Sequence, residues 1–182
     1  MTTTPATLTT WNIDPAHSAA EFKVKHMMIS NVKGKFSGIS GALHLDEADP
    51  ALSTVEASIP LNTISTADEQ RDGHLKSADF FDAEKFPNMT FKSTQVKKID
   101  IGEYSVTGDL TMHGVTRPVT FEVEGLSASA KDPWGNHRIG LSAATRINRK
   151  DFGLTWNAAL ETGGLLVGED VAISLDIEFI KA

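Results

Sequence analysis

Residues 104–123, in which apolar and polar side chains alternate, are the most informative part of this 182-residue chain. The apolar members of the stretch are Val106, Leu110, Met112, Val119, Phe121 and Val123. Because successive side chains of a β-strand point to opposite faces, each half predicts a strand with one apolar and one polar face. A short loop with Gly114 and Pro118 joins the halves, which predicts a long antiparallel hairpin.

The same alternation recurs along most of the chain and is again very regular between Val171 and Phe179. A sheet of this length with one apolar face must close around a core, since closure removes its exposed strand edges. We therefore predict an all-β fold, an antiparallel β-barrel of about eight strands. A barrel of that size either fills its interior with side chains or holds one small ligand.

One segment breaks the alternation and predicts a short helical insertion near residues 66–82. Thr66 and Glu69 match a capping box, in which Thr66 is the N-cap residue and Glu69 lies three residues into the helix. Gly73 inside this segment predicts a kink or an early end of the helix.

The domain organisation follows from the same pattern. Residues 1–10 are rich in threonine and predict a disordered lead-in. No internal repeat or low-complexity linker interrupts the rest, so we predict a single domain over residues 11–182. The first residues also lack the basic segment and apolar core of a secretory signal, so we expect a cytoplasmic protein.

Composition narrows the partners and the chemistry. The net charge of −7 argues against nucleic acid as a partner, because phosphate binding requires a basic surface. The chain has no cysteine, which excludes disulfides, thiolate metal sites and a cysteine nucleophile. No run approaches the roughly 18 apolar residues that predict a transmembrane helix.

Residues for catalysis or metal binding are few. The six histidines form no HExxH, HxH or other compact ligand pair, so we expect no metal and no cofactor. No GxSxG motif is present for a serine nucleophile. His74 with Asp72 is the remaining acid–base pair, but the same residues suit a solvated helix face. We therefore expect no catalytic site.

Large apolar residues indicate more about the function than the histidines do. Several phenylalanines lie on predicted strands, and core packing accounts for many of them. The alternative is that part of this set lines a cavity for an elongated lipid-like ligand, with the segment 80–86 across its mouth. The candidate lining residues are Phe22, Val24, Phe36, Phe80, Phe81, Phe86, Phe91, Leu110, Phe121, Phe152 and Trp156.

A series of longer motifs carries a family resemblance. They occur in the order Trp11–Ser18, Ile64–Leu75, Ser77–Asp82, Gly108–Val119 and Arg149–Gly153. In these motifs, and over about residues 11 to 181, the chain resembles the YceI-like family of polyisoprenoid-binding proteins, which have a lipocalin-like barrel.

The resemblance implies a long apolar tunnel inside the barrel. In the family this tunnel holds a polyprenyl chain or a similar amphiphile, such as an isoprenoid quinone or a fatty amide. It implies a protein that carries or sequesters such a lipid. Many relatives are exported to the bacterial periplasm, which the absence of a visible leader does not favour here. Some relatives pair, so a homodimer is possible.

The helical insertion supplies the polar residues that bear on this function. Arg71, Asp72 and His74 are candidates for a polar mouth that binds the ligand head group. Together with Asp79 and Asp82 they could instead tie the insertion to the barrel through charge-assisted hydrogen bonds. Two rivals to a lipid carrier stay open. One is a filled barrel that acts as a stress or interaction module, and the other is an enzyme that modifies a lipid with His74 and Asp72.

Overall fold

The computed structural model describes residues 7–182, and its strands are all antiparallel. The strands are β1 (Leu8–Ile13), β2 (Ala19–His26), β3 (Ser30–Phe36), β4 (Ser40–Asp46), β5 (Thr54–Pro60), β6 (Asn88–Asp100), β7 (Glu103–Met112), β8 (Val115–Glu124), β9 (Ala130–Lys131), β10 (His137–Asn148) and β11 (Val167–Lys181). The α-helix α1 (Glu69–Lys76) lies between β5 and β6. Short 3₁₀ turns occupy Pro15–His17, Pro50–Leu52, Leu61–Thr63 and Arg149–Phe152.

The last strand closes the sheet into a barrel. One edge of β11 pairs with β10, and its other edge pairs with β1 near Phe179 and with β2 from Val167 to Asp176. Thus β1 and β2 lie end to end along the same edge and act as one long strand. Their partners β4 and β3 follow each other in the same way. The short β9 extends β8 along the same edge of β10. Counted so, the barrel has eight antiparallel strands, and the predicted fold class is confirmed.

The hairpin predicted over residues 104–123 is present as β7 and β8. Its register runs from Tyr104 opposite Val123 to Met112 opposite Val115. His113 and Gly114 form the turn with φ of 54° and 71°, the backbone twist that suits a two-residue hairpin. The turn is therefore shorter than predicted, and Pro118 lies inside β8. The alternating apolar residues Leu110, Met112, Val119, Phe121 and Val123 are buried, as the pattern predicts.

The helical insertion is confirmed, but its predicted start is wrong. Helix α1 is capped by Asp68, whose side chain accepts a hydrogen bond of 2.9 Å from the Arg71 amide. Thr66 lies one residue before Ala67, which has a φ of 61°, so the chain turns before the helix begins. Asp and Thr are both good N-cap residues. Here the Thr66 hydroxyl is bound to Asp72 and Arg71, and Asp68 caps the helix. None of the helices in the described part of the chain is long and apolar enough to cross a bilayer.

The first strand starts earlier than the sequence indicates. Residues 8–10 belong to β1, where Leu8 lies opposite Asp46 and Thr10 opposite His44. The predicted disordered lead-in over residues 1–10 is therefore wrong for these three residues. Pairing with β4 satisfies their backbone groups, which a Thr-rich composition cannot reveal. Residues 1–6 lie outside the described part of the chain.

Arg138 holds the break between β1 and β2. The chain turns there, and the Arg138 guanidinium donates to Asp14 at 2.7 Å and to Glu178 of β11 at 2.6 Å. It also donates to Asp132 in the loop before β10, at 2.7 Å. The hydrogen bond from Arg138, followed by that from His17, lowers the pKa of Asp14 to about 2. The Arg138 hydrogen bond likewise holds the pKa of Asp132 below its usual range.

We expect Asp14→Asn to destabilise the protein at pH 7 and to have progressively less effect in acid. The pKa of Asp14 is lower in the folded protein than the value near 3.9 of an unfolded chain. Its charge therefore stabilises the fold above about pH 4, and this contribution falls as the pH decreases towards 2. Thermal unfolding of both proteins between pH 7 and 2 tests this, with Glu161→Gln at an exposed loop position as the control. A difference in Tm between the wild-type protein and Asp14→Asn that stays constant down to pH 2 would contradict the lowered pKa of Asp14.

Candidate functional site

Two apolar cavities lie inside the barrel. The lower chamber, of about 170 Å³, lies towards the β4–β5 and β6–β7 turns. The upper chamber, of about 110 Å³, lies towards α1 and the loop before β11. Within residues 7–182, every buried side-chain nitrogen or oxygen has a hydrogen-bond partner. The interior therefore presents carbon surface to a ligand and leaves no buried polar side-chain atom for the ligand to satisfy.

A common wall joins the two chambers. Ile59 and Met89, which lie opposite each other on β5 and β6, border both chambers. Ile173 and Leu175 of β11 also border both. Met89 is unbranched and has several rotatable bonds, so it can change its rotamer more readily than a β-branched residue. The two chambers are thus neighbours inside the barrel, and Met89 lies in the partition between them.

Each chamber has a phenylalanine ring that lies against a glycine on the next strand. Phe22 lies opposite Gly34 in the register of β2 and β3, and a side chain at Gly34 would overlap its ring. Phe91 lies against Gly108 of β7 in the same way. Phe22 borders the upper chamber and Phe91 borders the lower chamber. Because the two glycines have no side chain, the rings of Phe22 and Phe91 fit against the barrel wall.

Most of the predicted lining residues border a chamber. Phe22, Val24, Phe36, Phe80 and Phe81 border the upper chamber. Phe91, Leu110 and Phe121 border the lower chamber. Their contact with a ligand stays a prediction.

The remaining three predicted residues border neither chamber. Phe152 is fully buried in the core beside β7 and β8. Phe86 packs against His113, with ring centroids 5.3 Å apart. Trp156 packs edge-on against His74 at 4.7 Å and lies 5.3 Å from Phe80. Their large apolar side chains did not indicate whether they face a cavity or another side chain.

Arg71 and Asp72 both form hydrogen bonds with Thr66, at the point where the insertion meets the barrel. Arg71 donates to the hydroxyl of Thr66 at 2.7 Å and to its carbonyl at 2.9 Å. Asp72 accepts from the Thr66 amide at 2.8 Å and from its hydroxyl at 2.6 Å. Ser65, the preceding residue, pairs with Lys35 of β3. These contacts are of the kind expected from the structural alternative, and neither residue borders a chamber. A role of Arg71, Asp72 and His74 as a polar mouth for a head group stays a prediction.

His74 and Asp72 do not form the acid–base pair considered from the sequence. The His74 Nε2 atom lies 2.8 Å from a carboxylate oxygen of Asp79. Asp72 uses its Oδ1 atom to accept from Thr66. The His74 ring also packs edge-on against Phe80, at 5.1 Å, and borders neither chamber itself. The pair is therefore divided between two separate hydrogen-bond networks of the insertion.

Arg149, which no sequence pattern marked as a site residue, holds the loop over the upper chamber. Its guanidinium is buried and donates to the carbonyls of Gly168, Leu154 and Trp156 at 2.8, 2.6 and 2.9 Å. Burial lowers the pKa of Arg149 below its usual value. The carbonyl acceptors are main-chain groups, so no pattern of acidic residues could have revealed this site. Arg149 fastens both sides of the loop that precedes β11.

In the described part of the chain, one group of side chains has the spacing of a metal site. Ligand atoms of Asp14, His17 and Glu178 lie within 4.8 Å of one another. Arg138 already donates to both carboxylates, so a cation of the protein occupies the position. The group borders neither chamber. Its contacts with Arg138 stabilise the break between β1 and β2 and do not indicate a reaction site.

Comparison with known proteins gives a consistent assignment. The model of the YceI-like domain matches residues 11–179. The UPF0312 protein of Staphylococcus aureus strain N315 is 39% identical over 172 residues, which are 94% of this chain and 98% of that protein. The solved structure of the Campylobacter jejuni YCEI protein is 32% identical, with a TM-score of 0.73, covering 87% of this chain and 90% of that one.

A more distant structure has the same fold. The polyisoprenoid binding domain from Saccharophagus degradans, described as implicated in plant cell wall breakdown, is 18% identical with a TM-score of 0.66. The match covers 97% of this chain and 100% of that domain. At this identity the similarity concerns the barrel architecture.

We expect Gly34→Ala to destabilise the barrel, because the new methyl group would displace the Phe22 ring. Overpacking of this kind costs about 1–3 kcal/mol. Gly140→Ala is a matched control in β10, since a side chain there would meet only the Ile177 carbonyl at an ordinary 3.5 Å. Thermal or denaturant unfolding of both variants gives the comparison. Equal effects of the two substitutions would show that Phe22 is not held against Gly34.

Proposed function

The chain belongs to the YceI-like family, and from this premise we propose that it binds an elongated amphiphile of the isoprenoid type inside the barrel. The ligand is a polyprenyl chain, an isoprenoid quinone or a similar long-chain lipid, which the protein carries or sequesters. The observation that carries the proposal is the pair of apolar chambers with a common wall. The name of the Saccharophagus degradans domain, which shares the fold, agrees with this ligand class.

Apolar burial supplies the binding energy in this proposal. Each buried CH₂ group contributes about 0.8 kcal/mol, so a tail of a few isoprene units binds without any polar contact. A branched tail suits walls made of isoleucine, leucine and phenylalanine side chains. A tail longer than the lower chamber must pass Met89 to reach the upper chamber.

Two observations favour binding over the rival functions. A filled barrel leaves no room for a ligand, whereas this interior contains chambers of about 170 and 110 Å³. A lipid-modifying enzyme needs acid–base groups at the ligand, and His74 and Asp72 border neither chamber. A bound lipid that is extracted unchanged after long incubation agrees with a carrier, and a converted lipid would favour the enzyme.

The first experiment is native mass spectrometry of protein purified from its own host, followed by organic extraction. We expect a one-to-one adduct that extracts as a polyprenyl or quinone species. Titration of stripped protein with farnesol then gives an affinity in a defined system. A stripped, folded protein that binds no farnesol or longer isoprenoid would contradict the proposal.

We expect Ala143→Phe to lower farnesol affinity at least about tenfold, because a ring would occupy part of the lower chamber. Ala143 is buried and borders that chamber, whereas its neighbour Ala144 is exposed on the outer face of β10. Ala144→Phe is therefore a matched control that should bind farnesol normally. A tenfold loss equals about 1.4 kcal/mol. Calorimetric titration of both variants measures the effect.

Ala143→Leu provides a smaller obstruction if the phenylalanine variant unfolds. Circular dichroism and thermal unfolding show whether each variant keeps the native fold. Normal binding by folded Ala143→Phe and Ala143→Leu proteins would place the ligand outside the lower chamber.

A further inference from the structure

A lysine lies at the mouth of the lower chamber. Lys98, near the end of β6, lies directly opposite Tyr104 at the start of β7. Residues opposite each other in an antiparallel pair project from the same face of the sheet. Tyr104 borders the lower chamber, and so does Val96, two residues before Lys98 on that face. Lys98 is therefore the next position outward from the apolar wall.

The charge of Lys98 is available to a ligand. Lys98 is exposed and, within residues 7–182, forms no ion pair. The acidic residues of the same hairpin, Asp100 and Glu103, lie opposite each other farther out, towards the turn. Asp100 accepts from the Ile101 amide at 2.7 Å. An unpaired ammonium group thus lies beside the opening of a chamber that is otherwise apolar.

Two arginines on the side of the upper chamber are held by acceptors of the protein. The Arg149 guanidinium donates to main-chain carbonyls, and that of Arg71 donates to Thr66. The chain as a whole has a net charge of −7, so its average field repels anions. At the lower mouth, Lys98 offers an anionic group on a bound lipid a cation that, within residues 7–182, has no ion-pair partner and lies next to the chamber wall.

We infer that Lys98 binds an anionic head group, a phosphate, diphosphate or carboxylate, on the amphiphile whose tail fills the chambers. The ligand then lies with its head at the β6–β7 turn and its tail directed past Met89 towards α1. Lys98 acts as a point charge that selects among head groups, and the tail supplies most of the affinity. This inference rests on the proposed function, but it adds the head-group class and the orientation.

The test compares two ligands with the same tail, farnesyl phosphate and farnesol. Calorimetric titrations are made with the wild-type protein, Lys98→Glu and the control Lys97→Glu. Lys97 is the neighbouring residue on the opposite face of β6, where it lies across from Ser105. Both substitutions change the net charge equally. They therefore separate a local contact with Lys98 from a general electrostatic effect.

We expect the wild-type protein to prefer farnesyl phosphate to farnesol by about tenfold, the effect of one charge-assisted contact. Lys98→Glu should abolish this preference and leave farnesol affinity within about threefold, a change smaller than 1 kcal/mol. Lys97→Glu should keep the preference. Added salt should weaken the phosphate preference of the wild-type protein, since the mouth is open to solvent.

Each contrary result has a distinct meaning. An unchanged preference in Lys98→Glu, or an equal loss in both variants, overturns the role of Lys98 while farnesol binding still supports the tunnel. No farnesol binding by the wild-type protein contradicts the proposed function and this inference with it. Lys98→Gln repeats the test without a new negative charge, and thermal unfolding confirms that each variant is folded.

Discussion

Pairing of β11 on both edges is the interaction on which the rest of the structure depends. The strand has β10 along one edge and β1 followed by β2 along the other. This arrangement closes the sheet and removes the two long edges that an open sheet would expose. It also directs Ile173 and Leu175 inward, into the common wall of both chambers. The Arg138 ion pairs stabilise the position at which the partner along this edge of β11 changes from β1 to β2.

Closure alone does not make a binding site, because a barrel of eight strands can be filled by its own side chains. Here two glycines make room for the rings of Phe22 and Phe91 at the wall. Space remains along the axis, divided only at the partition that contains Met89. The interior is apolar, so the binding free energy depends on how much carbon surface a ligand removes from water. This is the physical basis for the proposal that a lipid tail occupies the chambers.

The distribution of charge complements the apolar interior. Arg138 and Arg149 are each held by several acceptors of the protein, one by carboxylates and the other by main-chain carbonyls. Such groups stabilise loops at the barrel surface and above the upper chamber. Lys98 differs because it forms no ion pair in the described part of the chain and lies at a chamber mouth. The barrel thus combines arginines that have a structural role with a lysine at a chamber mouth that we propose binds a ligand head group.

The sequence by itself determined the fold class and the inward face of most strands. Alternation with a period of two is a property of each strand alone, so residues such as Phe121 and Leu175 could be assigned to the interior without a structure. The start of β1 at Leu8 depended on its pairing with β4, which is distant in sequence. The choice of Asp68 over Thr66 as helix cap depended on the side-chain hydrogen bonds within the insertion. Only the tertiary structure decided whether a buried ring borders a chamber, as Phe121 does, or another side chain, as Phe152 does. The physical reason is that a cavity is the space left between strands, and its size depends on the register and side-chain volumes of all strands together.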